Sequence, residues 1–361
     1  MSRIRIGFYG AGRRMQDFYL PVINSHPQLA FEPVGFVTRT DKTAGQATAA
    51  TGLKRFPYVG EMAKEVDLII VCVNAEGMVE CSMDALRTDK AVLLETPVTS
   101  EDVVRLANSR VPITGVAEQW PFRPMEQFRR AIIKTGTMGK LNVIQNSLRG
   151  YEYHAMAMMR AYTRKFDRAS MPAVLQGMSW SNGPVNLIDG NGIHKTLVEN
   201  WDVGAIRLVD NVRLIHNFNS VHSRSQARGP RSLNIYCERG ALCADDCNDI
   251  HFVESIDGQA VTVDVSVLKD EDTNAPHTLR CSISGEVHEW VNPYREAKNL
   301  DEQEVAIMTV LDGMVDAILD NKAVPYPVGD AFVDWLCVMG LRQASAQEKT
   351  LVFPNLDHLF R

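Results

Sequence analysis

No apolar run in the 361 residues approaches the roughly 18 that a membrane span requires. An excess of positive charge is also missing: the formal net charge is −6 at pH 7, which offers no field along which a polyanion would bind, so nucleic acid is not an expected partner. The seven cysteines lack metal-type spacing, since the closest pair, Cys243 and Cys247, has neither a second pair nor a histidine cluster nearby. They read as reduced, mostly buried thiols, and Cys72, inside the run Leu68 to Val73, is expected to behave as a small hydrophobe. There is no internal repeat and no low-complexity segment. The first residues, Arg3-Ile-Arg-Ile-Gly-Phe8, predict a strand rather than a signal peptide. A cytoplasmic globular protein of about two domains is expected, each about 150 residues long.

Up to about residue 118, short β-branched runs alternate with amphipathic stretches, the pattern that gives a parallel sheet covered by helices. Strands are expected at Ile4 to Tyr9, Phe31 to Thr38, Leu68 to Val73, Ala91 to Leu94 and Ile113 to Ala117. Ala75 to Thr88 reads as a helix with Met78, Cys81, Met83 and Leu86 inward, and Thr99-Ser-Glu-Asp opens another with an N-cap oxygen and early acids. After Pro121 the rhythm changes to a helix over Met125 to Lys134 and a strand over Leu141 to Leu148. Further strands at Ala205 to Val209, Val212 to Asn217, Ser232 to Tyr236, Thr262 to Leu268 and Thr278 to Ile283 argue a large, mostly antiparallel open sheet. Amphipathic helices over Glu302 to Asp320, with Val305, Met308, Leu311, Val315 and Ile318 on one face, and over Asp330 to Ala346 supply its cover. The expected fold is thus α/β, with a doubly wound Rossmann domain over residues 1–120 and an α+β sheet domain over 121–361 whose last helices pack back on the first.

The first strand runs into Gly10-Ala-Gly12-Arg13-Arg14-Met15, a G-x-G turn at a strand-to-helix junction, where the backbone can approach a pyrophosphate at a helix N-terminus. The third glycine of the dinucleotide fingerprint is replaced by Met15, and a tight turn without a ligand is the plainer alternative. The second strand ends at Thr38-Arg39, where NAD-preferring proteins place an acid for the ribose 2′-hydroxyl. A hydroxyl and a guanidinium suit a 2′-phosphate instead, so NADP is expected over NAD; a solvated arginine is the alternative.

Several landmarks occur in an order that resembles the glucose-fructose oxidoreductase / inositol dehydrogenase / rhizopine-catabolism (Gfo/Idh/MocA) oxidoreductases. They are Gly10-Ala-Gly-Arg13, Glu95-Thr-Pro97, Val116-Ala-Glu-Gln-Trp-Pro-Phe-Arg-Pro124, Gly136-Thr-Met-Gly-Lys140, Gly240-Ala-Leu and Ser345-Ala-Gln-Glu-Lys349. Val73, Asn74, Glu95 and Pro97 are expected along the cofactor, and Glu118 on its nicotinamide side because ligands of open α/β sheets bind beyond the strand C-termini, with Trp120 as a further wall or as packing. The resemblance implies a Glu-Lys-Pro whose lysine handles the proton of the reacting hydroxyl, but this chain has Thr96 there, which carries no charge and cannot titrate near neutral pH.

A second signature of the family, Asp-x-x-x-His, finds its best match at Gly150-Tyr-Glu-Tyr-His154, with glycine in place of the acid. His154 is expected as general acid or base, with Tyr151 and Tyr153 as hydroxyls able to pass a proton; a histidine satisfied at a helix start is the alternative. A rival match, Asp189-Gly-Asn-Gly-Ile-His194-Lys195, has its acid one residue too far away, although Lys195 could supply the missing cation. His216 and His222 read as core or surface histidines, and Arg224, Arg228 and Arg231 as a solvated basic loop. The expected activity is hydride transfer between NADP(H) and a carbonyl/hydroxyl carbon, or an imine/amine carbon since the lysine is missing, of a small polar molecule that the resemblance makes sugar- or cyclitol-like. The resemblance further implies a homo-oligomer formed through the C-terminal sheet. The alternatives are a ligand sensor that has lost catalysis, marked by Thr96, and a redox-neutral lyase or hydrolase that uses its nucleotide transiently.

Overall fold

The computed structural model describes residues 3–356 apart from 26–30, 111–112, 165–167, 189–193, 222–227, 246–249, 257, 273–275 and 298–299. The N-terminal half builds a six-stranded parallel sheet in the order β3-β2-β1-β4-β5-β6, from β1 (Ile4–Tyr9), β2 (Phe31–Val37), β3 (Lys54–Arg55), β4 (Leu68–Val71), β5 (Ala91–Leu94) and β6 (Thr114–Val116). The order reverses between β1 and β4, where a doubly wound sheet opens a crevice at its strand C-termini. Its central strands are apolar throughout because helices cover both faces, α1 (Leu20–Ser25), α2 (Asp41–Thr51), α3 (Val59–Ala63), α4 (Ala75–Leu86) and α5 (Glu101–Arg110) among them.

A helix α6 (Pro124–Thr135) leads into the second half, a nine-stranded sheet in the order β14-β13-β12-β11-β7-β10-β9-β8-β18. Its strands are β7 (Leu141–Ser147), β8 (Pro172–Ile188), β9 (His194–Leu208), β10 (Arg213–Asn219), β11 (Ser232–Cys237), β12 (Gly240–Asp245), β13 (Ile250–Ile256), β14 (Gln259–Val263) and β18 (Leu351–Val352). All pairs are antiparallel except β7 with β10, because helix α7 (Glu152–Ala161) and the β8–β9 hairpin intervene between those two. A separate three-stranded sheet holds β15 (Ser266–Lys269), β16 (Pro276–Ile283) and β17 (Glu286–Val291).

The strand expected over Thr262 to Leu268 is therefore two strands in two sheets: β14 stops at Val263, and β15 pairs with β16 instead. Alternation of apolar residues cannot report which sheet a strand joins. The stretch Ala205 to Val209 is the end of the 15-residue β9, whose 17-residue partner β8 did not stand out in the sequence. Glycine and proline at 172, 177, 183 and 184 obscured β8, and Gly177 has a packing reason: a Cβ there would lie 2.2 Å from Leu341 O. The absent side chain brings α9 (Val328–Ala346) down onto the sheet.

The last helices pack against the first sheet. Val305, Met308, Leu311 and Met314 of α8 (Glu302–Asp320) are fully buried in one core with Ile6, Phe8, Ile70 and Leu93. Each such aliphatic side chain contributes about 1.5–3 kcal/mol on burial. The capping box of Asp301 and Glu304 starts α8, and the backbone N–H of Val116 donates to Tyr326 O at 2.8 Å, so the segment before α9 closes the open edge of β6. The two halves thereby share a seam at the C-terminal ends of β5 and β6.

Candidate active site

Beyond β1 the chain turns at Gly10, whose φ of +118° and close approach to β4 (a Cβ would sit 2.5 Å from Cys72 O) permit no side chain. Gly12 is the opposite case. A Cβ added there would meet nothing within 4 Å, so the backbone faces an open cradle. The following helix begins with a wide π-type turn over Arg14–Tyr19 that carries Met15, at the fingerprint's third glycine position, into the core.

Thr38 is half-buried, while Arg39 is exposed and makes no hydrogen bond or ion pair among the described residues, although its charge reaches the Cys81 thiol. Arg13 is exposed and pairs with Asp17 at 3.2 Å. Asn74 caps α4 by accepting from Gly77 N–H at 3.3 Å, and the half-buried Val73 lies against the Gly10 turn. The open backbone cradle at the helix start and the exposed guanidinium at the end of the second strand thus lie along one end of the crevice.

Arg14 and Glu95, both expected at the cofactor, face each other: Arg14 Nε donates to Glu95 Oε1 at 2.6 Å and its Nη2 to Gln119 Oε1 at 3.2 Å. Burial alone would lower the basicity of this guanidinium, but Glu95 overcomes it, and the group is held firmly charged. The buried Tyr19 hydroxyl donates to the same carboxylate oxygen, and burial plus the negative charge of Glu95 raise its pKa well above the usual phenol value. Thr96 and Pro97, joined by a cis peptide, follow directly.

Opposite this strand end, Leu148 (φ 57°) and Gly150 (φ 77°) swing the chain from β7 into α7, whose N-cap is Tyr151. The geometry places His154 in the first turn, where its Nδ1 lies 2.6 Å from Glu118 Oε2; the other oxygen of Glu118 accepts the backbone N–H of Trp120 at 3.1 Å. Both side chains are buried. Tyr153 packs on the imidazole with ring centroids 4.4 Å apart and the planes tilted by 51°, and Thr96 lies close enough to favour its phenolate slightly. Burial first, then the charges of Glu118 and Glu95, push the Tyr153 phenol upward, so it holds its proton. Trp120 closes the far side at 5.6 Å from His154, backed by Arg123 at 3.8 Å from its ring. Tyr151 is exposed, with its ring 6.4 Å from the imidazole.

The structure thus gathers Glu95, Thr96, Pro97, Glu118, Tyr153 and His154 at one seam, and leaves Arg13, Thr38 and Arg39 at the other end of the crevice. Gly150 replaces the expected acid at the seam, and a Cβ there would approach His154 Cβ at 3.6 Å and Trp120 at 3.5 Å. Sequence reasoning missed Tyr19 and Gln119, for which no local signal exists. It also assigned Glu118 to the cofactor without its histidine partner. Of the rival match, residues 189–193 and the His194 side chain lie outside the described residues, and Lys195 is exposed on β9. His222 and Arg224 also lie outside them. Arg228 binds Glu199 at 2.6 Å, Arg231 is half-buried, and His216 is fully buried, stacked on Phe218.

A parallel sheet bearing a glycine cradle thus stands beside a large open sheet, the arrangement of a Rossmann fold joined to a sheet-rich second half. Residues 4–110 match the oxidoreductase family with NAD-binding Rossmann fold (Gfo/Idh/MocA). Galactose 1-dehydrogenase of Pseudomonas fluorescens is 33% identical over 100 residues, which is 27% of this chain and only 30% of that protein. Among solved structures, an Agrobacterium radiobacter oxidoreductase in complex with NAD+, L-tartaric acid and magnesium superposes with a TM-score of 0.69 at 10% identity, covering 97% of this chain and 98% of that one. A super-repressor mutant of Gal80p from Saccharomyces cerevisiae gives 0.70 at 15% identity, with coverage of 97% and 98%. At these identities the likeness is one of fold.

Proposed function

We propose that the protein is an NADP(H)-dependent oxidoreductase acting on a carbonyl/hydroxyl or imine/amine carbon of a small polar molecule, sugar- or cyclitol-like by family. The observation that carries this reading is the buried His154–Glu118 pair beside Tyr153 and Thr96, across the seam from a glycine cradle. In this reading residues 1–120 hold the nucleotide, with Gly10, Gly12 and Arg13 at the phosphates, Thr38 and Arg39 at the 2′-phosphate, and Val73, Asn74 and Pro97 along the dinucleotide. Arg14 and Glu95 brace that wall through each other. Residues 121–361 hold the substrate. When bound, the nicotinamide gives or receives the hydride.

The chain's own residues manage the proton. With Nδ1 donating to Glu118, His154 presents the lone pair of Nε2 to the substrate, and the carboxylate stabilises the imidazolium once a proton has been taken. The Tyr153 hydroxyl, beside Thr96, donates a hydrogen bond to the reacting heteroatom. Trp120 excludes water from the imidazole.

No helix among the described residues is long and apolar enough to cross a membrane, and a cytoplasmic location accords with the reduced thiols. The sheet face opposite α9 exposes Met178 and Trp180, the latter stacked on Trp201, which favours a homo-oligomer formed there. A second reading, a ligand sensor, draws on the uncharged Thr96. The test is loss of NADPH absorbance on adding a panel of polar cyclic ketones, aldoses and imines. Consumption that falls about 10²–10⁴-fold in His154→Ala supports the enzyme, and saturable nucleotide binding without any consumption supports the sensor.

A further inference from the structure

We propose that Glu95 and Gln119 together recognise the carboxamide of the nicotinamide, Glu95 accepting from its N–H and Gln119 donating to its carbonyl. The inference rests on the oxidoreductase reading and adds to it the two side chains that orient the reacting ring. It starts from Arg14, whose Nε donates to Glu95 Oε1 at 2.6 Å and whose Nη2 donates to Gln119 Oε1 at 3.2 Å. These two nitrogens share one edge of a planar guanidinium, so the carboxylate and the amide are held side by side. A guanidinium only donates, which decides how the Gln119 amide is turned: its oxygen faces Arg14 and its nitrogen faces away. Tyr19 donates to the same Oε1 of Glu95.

Two polar atoms are left over. Glu95 Oε2 and Gln119 Nε2 bond to no group among the described residues, nor to each other, and neither is sealed from solvent, although both residues are buried. They stand at the reacting end of the crevice: Glu95 follows β5, Gln119 follows Glu118 beyond β6, and the charge of Glu95 reaches the Tyr153 phenol that packs on His154. A charged acceptor and a neutral donor, locked beside each other by one guanidinium, complement a planar group that carries an N–H and a carbonyl on one carbon. Of the parts of a nicotinamide dinucleotide, the pyrophosphate has no proton to give Glu95 and is repelled by it, and the adenine belongs at the Arg39 end. A ribose hydroxyl rotates to suit its partners and gains little from groups fixed in position. The carboxamide supplies both bonds in one rigid plane. Anchored there, the ring cannot turn over about its glycosidic bond, so a single face of it is presented to the seam that holds His154.

The test compares, by calorimetry without substrate, the binding of NADP+ with that of its 3-acetylpyridine analogue, in which a methyl ketone replaces the carboxamide and the N–H donors are gone. The wild type should hold NADP+ at least about tenfold more tightly, the share of a hydrogen bond to a charged acceptor. Glu95→Gln must keep an oxygen on Arg14 and so turns an N–H toward the ligand in place of Oε2. The preference should then fall to about unity, whereas a merely structural role would weaken both nucleotides equally. Gln119→Met removes the donor to the carbonyl that both nucleotides possess, and should weaken both about tenfold with their ratio unchanged. Equal affinity of the wild type for the two nucleotides, a ratio that survives Glu95→Gln, or a ratio altered by Gln119→Met assigns the two atoms to another group and overturns the proposal. Binding of neither nucleotide by the wild type overturns the oxidoreductase reading, and the proposal with it.

Discussion

His154 and Glu118 lie 36 positions apart in the chain and meet through a 2.6 Å contact between Nδ1 and Oε2. The carboxylate is itself fixed by the Trp120 backbone, which holds the imidazole in one orientation; in the proposed reading Nε2 is left for the substrate. Glu118→Gln keeps the shape but cannot stabilise the imidazolium. Turnover should fall about 10²–10³-fold with the Michaelis constant changed much less. Steady-state kinetics decides: a rise in the Michaelis constant at unchanged turnover would mean that Glu118 only binds.

Gly10 and Gly12 make a contrasting pair. Gly10→Ala drives a methyl into the β4 backbone at a φ of +118° and should abolish soluble folded protein. Gly12→Ala meets nothing within 4 Å, so the fold and its melting temperature should be unchanged. If phosphates occupy that cradle, nucleotide affinity should drop by about tenfold or more, since the methyl takes the space of the close approach. Calorimetric titration of Gly12→Ala at full affinity would move the phosphates elsewhere.

The Arg14–Glu95 pair is largely buried, with side-chain exposures of 21% and 11%. Arg14→Met leaves the carboxylate with Tyr19 as a neutral donor, and should destabilise the protein by about 2–4 kcal/mol after allowance for residual solvent. Adding Glu95→Leu should restore most of the loss, because the uncompensated charge goes with it. Denaturant unfolding of the single and double variants reads this directly. A double variant no more stable than the single one would argue against a charge origin.

His216 sits fully buried on β10 with both ring nitrogens unpaired among the described residues. Burial pushes its pKa down to about 4. The unfolded chain takes up that proton near pH 6.5, so between about 6.5 and 4 the unfolded state binds more protons and stability falls as pH drops, by up to about 3 kcal/mol. His216→Phe should flatten this acid limb without lowering stability at pH 8. An unchanged slope of stability against pH would place the acid sensitivity elsewhere.

The first half of the fold was legible because its strands are buried on both faces. Leu68–Val71 and Ala91–Leu94 are short apolar runs that serve only as central strands. The second half was legible in kind but not in count. β8 carries glycines that exist for the approach of α9, which reads locally as a broken strand. At the site, the Gly10 turn and His154 follow from local pattern. The meeting of His154 with Glu118, and of Arg14 with Glu95, depends on how two sheets share a seam, and no spacing within either segment reports that.

The most direct measurement is the affinity of the wild type and of Arg39→Ala for NADPH and NADH under the same salt. Arg39 is exposed at the end of the second strand and makes no hydrogen bond or ion pair among the described residues. The expected result is NADPH bound at least about tenfold more tightly by the wild type, with the preference abolished in Arg39→Ala and NADH affinity unchanged. Equal binding of the two nucleotides by the wild type would contradict the NADP assignment, and binding of neither would contradict the dehydrogenase reading as a whole.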